Sequence, residues 1–510
     1  MSVELATKPL FEGTEWTFDI LDRTYNAIEQ IALEELGLDT YPNQIEIISA
    51  EQMLDAHSSV GMPLMYHHWS FGKHFVQEEK SYRKGFSGLA YEIVINSNPC
   101  ISYNMEQNSM PIQTLVMAHA AFGHNHFFKN NYLFQQWTDA EGVLDYLDYT
   151  KKFVARCEEE YGIAAVEEIL DAAHALMDHA VSRYPRPREL TKKEREAREE
   201  EHREYEEKSF NDLWRTVPTG KPEEAPDAEA EDASERMREL KLPEENLLYF
   251  IERHSPVLLP WQRQLLGIVG YVSQYFYPQK QTKVMNEGCA TFVHHYILNR
   301  LFDKGLITEG AMLEVLHSHS SVVYQPEFDQ PGYRGANPYA LGFGMMQDIQ
   351  RICIDPKPED KEWFPEIAGC GNWQEVLRDA WANYRDESFI RQFLSPNLIR
   401  QQRLFTLTDD ASDRHYTVTA IHDEAGYRRV RETLAESYDI GTIEPDIQII
   451  DVDLRGNREL RLQHTMTNKI PLAEKMRDEV LKHVRVLWGY DVSLIGVEAD
   501  GSKVYETKIS

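Results

Sequence analysis

The stretch that most constrains this chain is Met285–Ile297, MNEGCATFVHHYI. It reads as an amphipathic helix carrying Glu287 and, seven residues on, His294. At 100° per residue the two sit about 20° apart, two turns along one face. Ala290 and Thr291, both small, lie between them. A carboxylate above an imidazole, with room between for a backbone or an ion, suits a metal or acid–base site. The same pattern suits a core helix with two satisfied polar residues. The stretch by itself leaves both readings open.

Other segments bear chemistry that can meet this face. Leu89–Ile95, LAYEIVI, reads as a buried strand, with Glu92 the exception. A buried carboxylate needs a partner or a raised pKa. Pro111–Phe122 reads as a helix with Pro at its first turn and Gly123 as C-cap. His119, His124 and His126 fall within eight residues there. In a continuous helix His119 and His126 share a face and His124 lies about 140° away. If Gly123 ends or bulges the helix, His124 folds back toward His119. Gly61–Phe75, GMPLMYHHWSFGKHF, is aromatic, irregular and His-bearing, either a substrate-facing loop or rings packed on the core. Thr308 caps a helix over Glu309–His317, which leaves His317 and His319 at a helix end. Gln325–Ala340 reads as a Pro- and Gly-rich loop.

The 510 residues suffice for two or more domains. A formal charge of −31 argues against sequence-independent nucleic-acid binding, which needs a cationic surface. It favours a soluble cytoplasmic protein. The five scattered cysteines fit reduced thiols, with Cys289 a small buried hydrophobe. No secretory signal and no membrane-spanning run is expected.

Helices are expected over 15–37, after a Ser49/Gln52 capping box, over 139–160, 162–183 and 247–254, and over 261–277 with Pro278 as the stop. Residues 186–243 read as a charged, then disordered, insert. From 401 the pattern changes to short strands and helices in βαββαβ order. The expected fold class is α+β. A mainly helical domain over 1–400 with a small sheet precedes a ferredoxin-like domain over 401–510.

Read together, TYPNQIEII, YHHWSFGK, YEIVINSNP, MAHAAFGHNHFFKNNYLF, YFYPQKQTKVMNEGCATF and NPYALGF resemble the SpoVR family, the stage V sporulation protein R-like proteins. That resemblance implies a link to spore cortex formation, or to stationary-phase and stress responses in non-sporulating bacteria. It also implies association with a PrkA-type serine kinase and a von Willebrand A-like protein. It implies no reaction.

NEGCATF is in addition similar to the third-ligand helix of gluzincin metallopeptidases. That similarity implies a zincin-like fold in which Glu287, His119 and His124 hold zinc or another divalent metal. The departure is that HAAFGH is one residue longer than HExxH and lacks its glutamate base. Glu92 or His294 then takes the acid–base role. His68, Trp69, Lys73, Asn125, His126, Lys129, His317, His319, Asn337 and Tyr339 are expected to line the pocket or support it. The implied function is hydrolysis of an amide or peptide bond. The alternative is a non-catalytic regulator of a PrkA-type kinase stress system on a degenerate zincin fold.

Overall fold

The computed structural model describes residues 8–58, 66, 92–183, 240–328, 330, 333, 335–408, 417–420, 423–454, 456–466 and 470–510. His68, Trp69, Lys73 and nearly all of the charged insert lie outside them. The described residues are mainly helical with small sheets, an α+β architecture. The chain divides into two units, one of residues 1–174 with 259–445, the other of 175–258 with 446–510.

In the first unit Thr17 caps α1 (Phe18–Gln30), which runs on as a π-helical turn over Ile31–Glu35. β1 (Asn43–Ile48) pairs parallel with β3 (Cys100–Met105), and β2 (Glu92–Ile95) pairs antiparallel with the other edge of β3. The Ser49/Gln52 capping box forms as read: Ser49 N donates to Gln52 Oε1 at 2.9 Å and Gln52 N to Ser49 Oγ at 3.2 Å. α2 (Met110–Val116) starts on the Ser109 cap with Pro111 in its first turn. It does not end at Gly123. The chain passes through a π-helical segment, Met117–His124, and continues as helix to Asn130.

The opening stretch lies in α3 (Lys283–Asp303). Its expected amphipathicity is not what the structure shows. Val284, Met285, Asn286 and every residue from Gly288 to His294 are buried, as befits a helix packed on all sides. α3 lies between the π segment and α5 (Pro338–Ile354), with α4 (Glu309–Val322) alongside. Small residues let these backbones approach. A Cβ at Gly123 would meet Ala290 Cα at 2.5 Å, and one at Gly288 would meet the Gly342 backbone at 2.6 Å. Around this sandwich the core gathers Ile28, Phe122, Phe127, Met285, Cys289, Val293, Leu341, Met345 and Phe389. Two buried side chains then anchor α3: Cys289 packs in the core, and Asp386, on α6 (Asp386–Phe393), meets the helix start.

Pro278 does not stop the preceding helix, which spans Pro260–Gln281. The break comes at Thr282, whose backbone leaves the helical region and whose hydroxyl donates to the Pro278 carbonyl at 2.8 Å. Among the described residues no helix is long and apolar enough to cross a membrane.

β4 (Thr406–Thr408), β5 (Thr417–Ala420) and α7 (Glu424–Glu436), expected in the C-terminal domain, fall in the first unit. α7 packs on α6, and Arg431 Nε donates to the Leu394 carbonyl at 2.8 Å. The second unit holds β6 (Asp446–Val452), β7 (Leu460–Met466), α8 (Glu474–Trp488), β8 (Val492–Glu498) and β9 (Lys503–Ile509), with strand order β6-β7-β8-β9. The ferredoxin-like βαββαβ arrangement is therefore corrected. In that split fold the crossover strands are not neighbours, whereas β7 and β8 pair directly and in parallel around α8. The helix read as the first crossover belongs to the other unit. β9 escaped the sequence reading because none of its residues is buried, and its half-buried side is a short, mixed run of Tyr505, Thr507 and Ile509.

Candidate functional site

The site is assembled from β2, the π segment, α3 and the start of α5. Glu92 heads β2 opposite Asn104, and β2 packs on the π segment. The π segment brings His119 and His124, five residues apart, to one side. Their rings meet edge to face with centroids 4.7 Å apart. In a regular α-helix i and i+5 diverge by about 140°, and the extra residue of a π turn restores the alignment that i and i+4 have elsewhere.

The ligand-type atoms converge. His119 Nε2 lies 3.7 Å from Glu92 Oε1 and 3.9 Å from Glu287 Oε2. His124 Nε2 lies 3.7 Å from the same Glu287 oxygen. Glu92, His119 and His124 form a group whose donor atoms lie within 4.8 Å of one another. Glu92 thus approaches His119 as closely as Glu287 does.

On the far side of each ring the other nitrogen has a partner of its own. His124 Nδ1 lies 2.9 Å from Asn286 Oδ1. An amide oxygen only accepts, so the proton sits on Nδ1 and the Nε2 lone pair points at Glu287. His119 Nδ1 lies 2.9 Å from His294 Nδ1. His119 Nε2 is the nitrogen that faces the two carboxyl groups. Glu287 Oε2 is buried with no hydrogen-bond partner among the described residues. Two carboxyl groups and two ring nitrogens therefore face one another across one gap. Two imidazoles and two carboxylates suit zinc or a similar divalent cation, and a buried oxygen without a donor is the gap such an ion would fill.

The electrostatics agree with neutral rings. Burial, then His124, holds His119 well below the usual imidazole range. Burial, then His119, does the same for His294. Burial, followed by Glu287, pushes Glu92 up to about 8. The Tyr339 phenol is raised by burial and then by Glu287 and Glu92, which it faces.

The structure brings together Glu92, His119, His124, Glu287 and Tyr339. His294 stands one step back. It links His119 to His319, whose Nδ1 is 2.9 Å from His294 Nε2. The remaining candidates go elsewhere. Asn125 clamps the loop before β1, donating to the Tyr41 carbonyl at 2.9 Å and to Asn43 Oδ1 at 2.7 Å. His126 and Lys129 both turn to Asp39. Asn337 caps α5 and ties it to the Val322 and Tyr324 carbonyls. His317 is exposed on α4. Asn125, His126, Lys129 and Asn337 thus serve the frame, their polar groups spent on contacts away from the cluster.

Two contributors were missed. Asn286 orients His124, and its place beside Glu287 was the available signal. Asp386 accepts from Val284 N and Met285 N, both at 2.8 Å, and so fixes the start of α3. It is about a hundred residues distant, and no local pattern announces it.

Comparison with known proteins follows the whole chain. The family described as "SpoVR like protein" matches residues 15–443, and the one described as "SpoVR-like C-terminal domain" matches residues 445–499. A protein of Escherichia coli (strain K12) named "Uncharacterized protein YcgB" is 53% identical over 501 residues, covering 98% of this chain and 96% of its own length. No solved structure matches.

Proposed function

The chain belongs to the SpoVR-like family, and from that premise we propose that its first unit is a zincin-like, metal-dependent hydrolase of an amide or peptide bond. The observation that carries the reading is the convergence of His119 Nε2, His124 Nε2 and the buried, unpartnered Glu287 Oε2. His119, His124 and Glu287 hold zinc or another divalent cation. When bound, the ion supplies Lewis-acid chemistry, polarising a carbonyl and acidifying water.

The chain's own groups do the rest. Asn286 holds the His124 imidazole in the tautomer that offers Nε2, and His294 backs His119 from its Nδ1 side. Glu92 replaces the base that the helix lacks, since Ala120 stands where HExxH has glutamate. Glu92, whose carboxyl burial and then Glu287 push up to about 8, holds a proton in the metal-free site and is placed to exchange it with water and the leaving amine. Tyr339 donates to Glu287 or to the carbonyl oxygen of the substrate. The family's association with spore cortex and stationary-phase stress points to a cell-wall or other peptide amide.

Elemental analysis of the purified protein tests this first. One divalent ion per chain, lost in His119→Ala, is the expected result. Turnover of a peptide pool, read by mass spectrometry, is expected to vanish in Glu92→Gln while the metal stays. Protein that carries no metal and takes up none when supplied with zinc overturns the reading.

The missing helix glutamate favours a second reading, a non-catalytic regulator serving a PrkA-type kinase system with a von Willebrand A-like partner. It expects His119→Ala to keep the cellular phenotype and deletion of 446–510 to abolish it. The reverse pattern supports the hydrolase.

A further inference from the structure

Cys353 and Cys370 lie outside the site, on the far part of the first unit. Cys353 is the penultimate residue of α5 and is fully buried. Cys370 is exposed, in the loop after the short helix Pro358–Trp363. Backbone hydrogen bonds bracket the pair. Gly369 N donates to the Ile352 carbonyl at 3.0 Å, and Gly371 N donates to the Cys353 carbonyl at 2.9 Å. Gly369 and Gly371 have φ of 78° and 75°, a left-handed conformation that glycine adopts without strain. The Gly-Cys-Gly turn is thus pinned against the end of α5, which holds Cys370 beside Cys353.

We propose that Cys353 and Cys370 form a reversible disulfide on exposure to a peroxide, making this pair an oxidation site of the first unit. The geometry favours it because the loop is already held where the bond needs it, and one thiol is accessible while the other waits behind it. Burial, then Cys370, pushes the Cys353 thiol up to about 12, so the exposed Cys370 is the sulfur that reacts first.

The chemistry balances with hydrogen peroxide as oxidant. The Cys370 thiolate attacks the O–O bond and becomes a sulfenic acid, and the hydroxide released takes up the thiol proton to leave as water. The Cys353 sulfur then attacks the sulfenic sulfur. Its proton leaves with hydroxide as a second water, and the S–S bond closes. Two thiols and one peroxide give one disulfide and two waters. Tyr339 and Cys353 lie at opposite ends of α5, about 21 Å apart at 1.5 Å per residue. The disulfide therefore staples the frame without reaching the histidine–glutamate cluster, and its formation is independent of the hydrolase reading.

The test uses the full chain, metal-free and reduced, treated with hydrogen peroxide and mapped by non-reducing peptide mass spectrometry. A peptide pair joining Cys353 to Cys370, lighter by two hydrogens and separated by dithiothreitol, is expected. Cys370→Ser, a surface change that spares the core, is expected to leave Cys353 alkylatable after denaturation. The oxidised wild type is expected to melt about 3 °C or more above oxidised Cys370→Ser. Conversion of Cys370 to sulfinic or sulfonic acid, or to a disulfide between chains, with Cys353 still alkylatable, overturns the proposal.

Discussion

Gly123 lies so close to Ala290 that a Cβ on the glycine would stand 2.5 Å from the alanine Cα and 2.8 Å from its Cβ. The π segment and α3 touch backbone to backbone at that point, between the two histidines and the glutamate they face. Gly123→Ala gains about 1 kcal/mol of helix propensity and meets an obstacle that is backbone, not a side chain that can swing aside. Overpacking of this kind costs about 1–3 kcal/mol. The substitution is expected to lower the urea midpoint and to weaken metal binding together, since the same contact sets the spacing of His119 and Glu287. Unchanged denaturation and unchanged zinc affinity would show that the two helices are not in contact there.

Asn286→Ala isolates orientation from ligation. Asn286 is not a ligand, and its Oδ1 only fixes the His124 proton on Nδ1. Loss of such a partner typically costs about 10–100-fold in metal affinity. Zinc titration against a competing chelator is expected to show a drop in that range. Asn286→Asp, which still accepts from Nδ1, is expected to keep most of the affinity. Equal losses in both variants would assign Asn286 a packing role instead.

Local signals made part of this molecule readable. Ser49 with Gln52, and Leu247–His254, announce their own ends through caps that act within four residues. The choice at Gly123 was legible as a choice: a glycine between two histidines at i and i+5 asks for a bulge, and the π turn supplies it. What the sequence could not show was which partner each side chain meets. His124, Asn125 and His126 are consecutive, yet one faces Glu287 and the other two face the loop at Asp39–Asn43. The all-round burial of α3 is equally a tertiary fact, because Gly288 reads as a helix weakness until Gly342 is placed against it. The same holds for α7, whose alternating neighbours suggested a second domain while its packing face belongs to α6.

Glu92 gives the metal-free protein a definite pH dependence. Its folded pKa is raised from the usual carboxyl range to about 8, by burial first and Glu287 second. Below the unfolded pKa both states hold the proton. As pH rises from about 4.5 toward 8 the unfolded state loses its proton while the folded state keeps it, so stability falls across that window. Each unit of separation is worth about 1.4 kcal/mol. Glu92→Gln stays neutral in both states. The stability difference between Glu92→Gln and wild type, measured by urea unfolding in chelator, is expected to grow in favour of the variant as pH rises and then level off above about 8. Saturating zinc is expected to shrink that difference, because a cation favours the ionised carboxylate. A difference that does not change with pH would remove Glu92 from the buried cluster.

Asp386 carries the last prediction. Its two carboxyl oxygens accept from Val284 N and Met285 N at 2.8 Å, donors that open α3 and have no partner within the helix. The carboxyl is buried, and burial pushes its pKa up to about 7 against the pull of those backbone donors. Asp386→Ala strands two buried amides, each at about 1–3 kcal/mol, so a loss of several kcal/mol in unfolding free energy is expected. Asp386→Asn keeps one acceptor and is expected to lose about half as much. Because Glu287 sits one turn into the same helix, freeing the start of α3 also loosens the aim of its Oε2. Zinc affinity is therefore expected to fall in the order wild type, Asp386→Asn, Asp386→Ala, even under conditions where all three are fully folded by circular dichroism. Stability that falls in that order with zinc affinity unchanged would separate the anchor from the site and leave Asp386 as a structural cap alone.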